Sequence, residues 1–142
     1  MAVSLGFTHT LLLAEGIGGW EQQGYAVTAS AEYEKNIALP KLPPHELQKL
    51  LERQPETFTL LDIRERDEFA EGHIAGAINV PLSDFSNAPA LLGDRTKKII
   101  IYCSTGVRNY SAYRQLYRLG YTDMSQAILN EWLAAGLPLA QQ

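Results

Sequence analysis

The sequence predicts an α/β fold in which helices cover both faces of a parallel sheet. Two apolar runs, TFTLLDI (57–63) and KKIIIY (97–102), have the composition and length of buried strands. Between the candidate strands lie segments with leucines at helical spacing, such as PPHELQKLLERQP (43–55). Strands that alternate with helices are typical of a parallel sheet enclosed by helices.

The first half of the chain supplies four further expectations. IALP (37–40) predicts a short first strand, and GAINVP (76–81) predicts another. The helix over 43–55 begins with prolines, which suit a first helical turn. A short helix is expected over RERDEFAEG (64–72), and it should stop at Gly72.

The second half continues the alternation. SDFSNAPALLG (83–93) predicts a helix that is broken near Pro89, because proline disrupts a helix interior. Residues 107–119 predict a longer helix, with Ala112, Leu116 and Leu119 on its apolar side. A last strand is expected over SQAIL (125–129) and a last helix over NEWLAAG (130–136).

Composition excludes several classes of protein. A chain of 142 residues suits one domain, and its formal net charge of −4 argues against a nucleic-acid partner. The single cysteine cannot form an internal disulfide, so we expect a reducing, cytoplasmic location. No apolar run reaches the roughly 18 residues that a membrane span needs, so no membrane association is expected.

The beginning of the chain resembles its end. LGFTHTLLLAEGIGGWEQQGYAV (5–27) aligns with LGYTDMSQAILNEWLAAGLPL (119–139) with one two-residue gap. Chance similarity is the alternative explanation. We interpret residues 1–27 as the tail of a preceding copy of the domain, 28–35 as a linker and 36–140 as the main domain. Such a tail cannot bury its apolar face alone. It should therefore pack on the main domain or on a second chain, which makes a homodimer possible.

Cys103 stands where an apolar strand ends and a helix is about to begin. A lone cysteine is most often a small buried hydrophobe. Ligands, however, bind at the carboxyl ends of parallel strands, and free N–H groups at a helix start attract anions and stabilise a thiolate. Gly106 permits a tight turn, and Arg108 adds a fixed positive fork. The pattern predicts a reactive thiolate that meets an anionic sulfur or phosphorus compound, in a loop made of Ser104, Thr105, Gly106, Val107 and Arg108.

Three segments resemble the rhodanese family: LLDIRERDEFAEGHIAGAINVP (60–81), YCSTGVR (102–108) and NEWLAAGLPL (130–139). The resemblance covers residues 36–140. It implies a three-layer α/β/α fold with a five-stranded parallel sheet. It also implies sulfurtransferase activity through a persulfide on Cys103, with residues 104–108 binding the substrate.

Loop length separates two chemistries within this resemblance. Sulfurtransferases of the family have six residues from cysteine to arginine, as here, whereas the related phosphatases and arsenate reductases have one more. The six-residue loop thus favours sulfur transfer and argues against the first alternative, a phosphatase or arsenate reductase. The second alternative is a non-catalytic binding module, against which Cys103 argues. The loop has no second basic residue, so polysulfide or a protein persulfide is as plausible a donor as thiosulfate. Asn109 stands where the family more often has serine or alanine.

The remaining polar residues are assigned supporting roles. Asp62 and Arg64 would either line the pocket or form a buried ion pair, and the resemblance favours the ion pair. His73 is expected to be structural, Glu68 and Glu71 to be solvated, and the tyrosines at 110, 113 and 117 mostly to pack in the core. No metal or cofactor is expected. Because no second cysteine exists, the sulfur acceptor must be an external thiol, cyanide or a protein.

Overall fold

The structure, a computed structural model, describes residues 39–141. Nine regular elements and two short 3₁₀ turns follow each other in this part of the chain. In order they are α1 (Pro44–Arg53), a 3₁₀ turn (Pro55–Thr57), β1 (Phe58–Asp62), α2 (Arg66–Glu71), β2 (Ile78–Asn79), a 3₁₀ turn (Leu82–Asn87), α3 (Ala88–Leu92), β3 (Lys98–Cys103), α4 (Val107–Arg118), β4 (Met124–Ile128) and α5 (Leu129–Ala134).

The sheet has the strand order β2-β1-β3-β4, and every neighbouring pair is parallel. In the β1–β3 pair, Asp62 lies opposite Tyr102, so both strands end at the same edge of the sheet. The loops that follow β1 and β3 therefore emerge side by side. This edge carries the candidate site.

Side chains alternate between the two faces of the sheet, as strand geometry requires. On one face, Leu61, Ile101 and Cys103 pack with residues of α3 and α4. On the other face, Leu60 and Ile100 pack with residues of α1 and α5. The predicted three-layer α/β/α architecture is confirmed.

The prediction of five strands is wrong for the described residues, in which the sheet has four. Of the segment expected as the first strand (37–40), the structure describes residues 39 and 40, and the next residue, Lys41, forms an isolated parallel bridge with Gln126. Gln126 N–H donates to the carbonyl of Pro40, and Leu42 N–H donates to the carbonyl of Gln126, both at 2.8 Å. The next donors on either side of this bridge would be Pro40 and Pro44, which have no N–H. The prolines therefore stop the ladder after one bridge.

Two further expectations need correction. The break expected near Pro89 lies before it: the 3₁₀ turn contains the non-helical residue Asp84, and Pro89 belongs to the first turn of α3, where proline is favourable. Leu119, expected on the apolar side of a helix, follows the end of α4 and is 37% exposed. Tyr113 is buried as expected, whereas Tyr110 and Tyr117 are exposed.

Residues 1–27 and 28–35, interpreted from the sequence as a tail and a linker, lie outside the described residues. The homodimer expected through that tail stays a prediction. Within residues 39–141, no helix is both long enough and apolar enough to cross a bilayer.

Candidate active site

Cys103 is the last residue of β3 and is fully buried in the core cluster on the α4 face. Its Sγ accepts a hydrogen bond of 3.2 Å from the backbone N–H of Gly106. An N–H aimed at sulfur stabilises negative charge on it. The structure thus places the thiol at the base of a short loop, under the beginning of a helix.

Gly106 is required by the backbone of this loop. It caps the N-terminus of α4 in the left-handed region, with φ of 89°. A Cβ at this position would lie 3.2 Å from Cδ1 of Ile128, which is closer than an ordinary packing contact. A side chain here would therefore be strained and also crowded, and either effect would turn the N–H away from Sγ.

We expect Gly106→Ala to slow the modification of Cys103 by a sulfur donor by at least about tenfold, since the loop loses a preorganised donor. The left-handed conformation should also cost about 1–2 kcal/mol of unfolding free energy. Gly136→Ala is the matched control: Gly136 has φ of 71° and no atom within 4 Å of the added Cβ. It should lose similar stability in thermal unfolding but keep the rate. Equal rates in both variants would contradict this assignment.

The remaining loop residues face different surroundings. Thr105 and Val107 are exposed, and Val107 retains 75% of its accessible surface. The carbonyl of Ser104 accepts a 3.1 Å hydrogen bond from Asn130 N–H, which ties the loop to the start of α5. The Ser104 hydroxyl lies 3.3 Å from Nη2 of Arg108.

Arg108 forms a two-point ion pair with Glu68. Its Nη1 donates to Oε2 and its Nη2 to Oε1, both at 2.8 Å. The prediction that Glu68 is merely solvated is wrong, because this carboxylate on α2 reaches across to the cysteine loop. The sequence gives one local signal: Glu68 completes a capping box with Glu65, whose N–H donates to Glu68 Oε2 at 3.0 Å.

The ion pair changes the titration of both partners. The hydrogen bond from Arg108 is the largest cause that lowers the pKa of Glu68, to about 2. The hydrogen bond with Glu68 likewise raises the pKa of Arg108, and the nearby Cys103 sulfur raises it further. The guanidinium therefore interacts with both the Glu68 carboxylate and the Cys103 sulfur.

We expect acid to remove the stabilisation that Glu68 provides. Its pKa is about 2 in the folded chain against an ordinary value of 4.5, so its contribution is present above pH 4.5 and is lost as the pH falls toward 2. The melting temperature of the native chain should fall more between pH 5 and pH 2 than that of Glu68→Gln. Glu71→Gln, which changes an exposed residue of the same helix, should follow the native chain. Identical profiles for all three would overturn this interpretation.

Asp62 and Arg64 form a buried ion pair at the carboxyl end of β1, with 0% and 5% exposure. Arg64 Nη2 lies 2.6 Å from Asp62 Oδ2 and also donates to the carbonyl of Gly72 at 2.8 Å. Burial alone would lower the pKa of Arg64, but the hydrogen bond and charge of Asp62 outweigh it, and the pKa is raised. This pair fastens the segment that carries α2, and hence Glu68, to the end of β1.

His73 is held by structural contacts. Its Nδ1 lies 3.0 Å from the carbonyl oxygen of Phe69, and its ring stacks on the Phe69 ring at 3.8 Å. Its backbone exchanges two hydrogen bonds with Ala140, of 2.9 and 2.8 Å. These contacts join the closing segment of the chain to the loop after α2.

Asn109 joins the start of α4 to β4, a structural role that its position in the sequence did not indicate. It is fully buried in the first turn of α4, and its Nδ2 donates to Gln126 Oε1 at 3.2 Å and to the carbonyl of Ala127 at 3.1 Å. Gln126 Nε2 in turn donates to the carbonyl of Leu39 at 3.1 Å. The start of the helix that supports the cysteine loop is thereby joined to β4 through amide side chains.

These features define a class of protein: a three-layer α/β domain in which a cysteine ends a central strand and begins a six-residue loop whose last residue is an arginine. A family model for the rhodanese-like domain matches residues 43–131. The chain belongs to this family.

Three known proteins illustrate the similarity. Thiosulfate sulfurtransferase 16, chloroplastic, of Arabidopsis thaliana is 33% identical over 91 residues, which are 55% of this chain and 76% of the relative. Thiosulfate:glutathione sulfurtransferase of Saccharomyces cerevisiae is 25% identical over 132 residues, 82% of this chain and 95% of the relative. The crystal structure of the Alr3790 protein from Anabaena sp. has a TM-score of 0.66 at 27% identity and covers 71% of this chain and 82% of its own.

Among residues 39–141, no group of three or more His, Cys, Asp and Glu side chains is placed to hold a metal ion.

Proposed function

We propose that this chain is a sulfurtransferase that carries sulfane sulfur as a persulfide on Cys103. The observation that carries the proposal is the hydrogen bond of 3.2 Å from Gly106 N–H to the Cys103 sulfur, at the start of α4. Support also comes from Arg108 of the same loop, because the nearby Cys103 sulfur contributes to the raised pKa of its guanidinium. Two relatives of the chain bear the name sulfurtransferase.

In the first half-reaction, the Cys103 thiolate attacks the outer sulfur of the donor. A sulfur–sulfur bond forms between Sγ and that atom, and the donor's own bond to it breaks. The leaving group keeps the electron pair of the broken bond. When the donor is thiosulfate, this leaving group is sulfite. The terminal sulfur of the new persulfide carries one negative charge, which Arg108 and the loop N–H groups, including that of Gly106, stabilise.

In the second half-reaction, an external nucleophile takes the terminal sulfur and the Cys103 thiolate is restored. The chain has one cysteine, so no internal thiol competes for the persulfide. We propose a small anionic sulfur donor, and an external thiol, cyanide or a protein as acceptor. A reducing compartment such as the cytoplasm would keep the thiol free.

The test compares two chemistries on the native chain. Turnover with thiosulfate or methanethiosulfonate and cyanide is followed through release of sulfite or methanesulfinate and formation of thiocyanate. Hydrolysis of an aryl phosphate is followed in parallel. We expect sulfur transfer and no phosphate release. Phosphate release without sulfur transfer would overturn the proposal in favour of a phosphatase. The absence of both activities would overturn it in favour of a non-catalytic binding module.

A further inference from the structure

In the part of the chain that the structure describes, two ion pairs involve residues of the cysteine loop or of the neighbouring loop after β1. Asp62 pairs with Arg64, and Glu68 pairs with Arg108. Each guanidinium is therefore offset by one carboxylate, and these four side chains add no net positive charge next to the Cys103 thiolate. An isolated arginine at the same place would attract anions strongly, whereas a paired one does so less.

Glu68 has a fixed position rather than a mobile one. Its Oε2 accepts from Glu65 N–H within the capping box, and both carboxylate oxygens accept from Arg108. The Ser104 hydroxyl lies 3.4 Å from Oε1. This carboxylate contacts Ser104 and Arg108 of the cysteine loop, and its side chain is 33% exposed, so a donor bound at the loop would be exposed to its charge.

We propose that Glu68 is a specificity-determining residue that makes this site favour sulfur donors with a single negative charge over dianionic donors. The inference rests on the proposed function and deepens it. The carboxylate repels each unit of negative charge on the donor, so the repulsion energy is about twice as large for a dianion as for a monoanion. The favoured class contains alkyl persulfides and thiosulfonates, and the disfavoured class contains thiosulfate.

Two sulfur donors that react in the same way but differ in charge separate the effect of donor charge from the effect of the reaction. Thiosulfate is a dianion and methanethiosulfonate a monoanion, and each offers a terminal sulfur bonded to an oxidised sulfur. The Cys103 thiolate takes the terminal sulfur from either one. The bond to the oxidised sulfur breaks, and sulfite or methanesulfinate leaves with the electron pair. The persulfide that forms is the same in both cases.

The experiment measures kcat/KM for both donors in the native chain, Glu68→Gln and Glu71→Gln. We expect Glu68→Gln to raise kcat/KM about fivefold for thiosulfate and about twofold for methanethiosulfonate, mostly through KM, because the removed charge acts on two charges instead of one. The ratio of kcat/KM for thiosulfate to kcat/KM for methanethiosulfonate should therefore rise in Glu68→Gln. Glu71→Gln removes the same charge from an exposed position of α2 and should leave this ratio unchanged. An unchanged or lower ratio in Glu68→Gln would overturn the inference.

A structural role alone would not raise this ratio, since a displaced Arg108 would weaken both donors and would weaken the dianion more. If Glu68→Gln melts at a much lower temperature than the native chain, Glu68→Ala provides the same removal of charge with a residue that favours helix. The expected change in the ratio is the same, and its absence in both variants would overturn the inference.

A second readout does not need sulfur transfer. Alkylation of Cys103 by iodoacetate, an anion, is compared with alkylation by neutral iodoacetamide. Removing the charge of Glu68 should raise the rate ratio of iodoacetate to iodoacetamide about twofold or more. If the native chain accepts sulfur from neither donor, the proposed function fails. The alkylation ratio then decides the inference: a rise in Glu68→Gln supports the role of its charge, and no rise overturns it.

Discussion

Replacing Cys103 by serine is expected to lower sulfur transfer by at least about a thousandfold, because a hydroxyl at neutral pH is a far weaker nucleophile than a thiolate. The serine oxygen can still accept the hydrogen bond from Gly106 N–H, so the loop should keep its conformation. Sulfite release from thiosulfate in the presence of cyanide measures the activity, and thermal unfolding reports whether the chain remains folded.

The control for this prediction is Cys103→Ala. Both variants remove the nucleophile, but alanine leaves the Gly106 N–H without its acceptor and adds no hydroxyl to the core cluster that contains residue 103. Both should be inactive whatever their melting temperatures. Residual activity of more than a few per cent in either folded variant would mean that another group carries the sulfur.

Replacing Asp62 by asparagine is expected to destabilise the fold by about 3–5 kcal/mol, because it leaves the guanidinium of Arg64 buried without a counter-charge. The two side chains are 0% and 6% exposed, so water cannot replace the lost carboxylate. Denaturant unfolding measures the change. The loss should also release the loop that leads to α2, and with it the position of Glu68.

Asp123→Asn is the matched control for Asp62→Asn. Asp123 pairs with Lys98 at 2.9 Å, but these side chains are 59% and 37% exposed. Solvent screens such a pair, so we expect a change of at most about 1 kcal/mol. Equal losses in the two variants would show that burial does not decide the strength of the Asp62–Arg64 pair.

The sequence predicted the features that depend on local patterns. Apolar runs located β1 and β3, and the polar residues after KKIIIY placed Cys103 at the carboxyl edge of the sheet. The helix of residues 107–118 also followed from periodicity. The spacing of its tyrosines did not show which of them are buried. Tyr113 lies in the core, whereas Tyr110 and Tyr117 are exposed.

The features of the site that could not be predicted from the sequence depend on contacts between distant segments. The pair of Glu68 and Arg108 joins residues 40 positions apart, and no local pattern indicates which two loops meet. The buried amide contact of Asn109 with Gln126 spans 17 positions and is equally non-local. The strand number differs in this respect, since Pro40 and Pro44 are visible in the sequence. Their missing N–H groups limit the bridge at Lys41 to one position, and the sheet of the described residues keeps four strands.

The most direct test of the central claim is the intact mass of the protein after incubation with a sulfur donor. We predict that the native chain gains the mass of one sulfur atom, that cyanide removes it, and that Cys103→Ser gains nothing. No gain on the native chain with thiosulfate, methanethiosulfonate or polysulfide would contradict the account, and so would an equal gain on the serine variant.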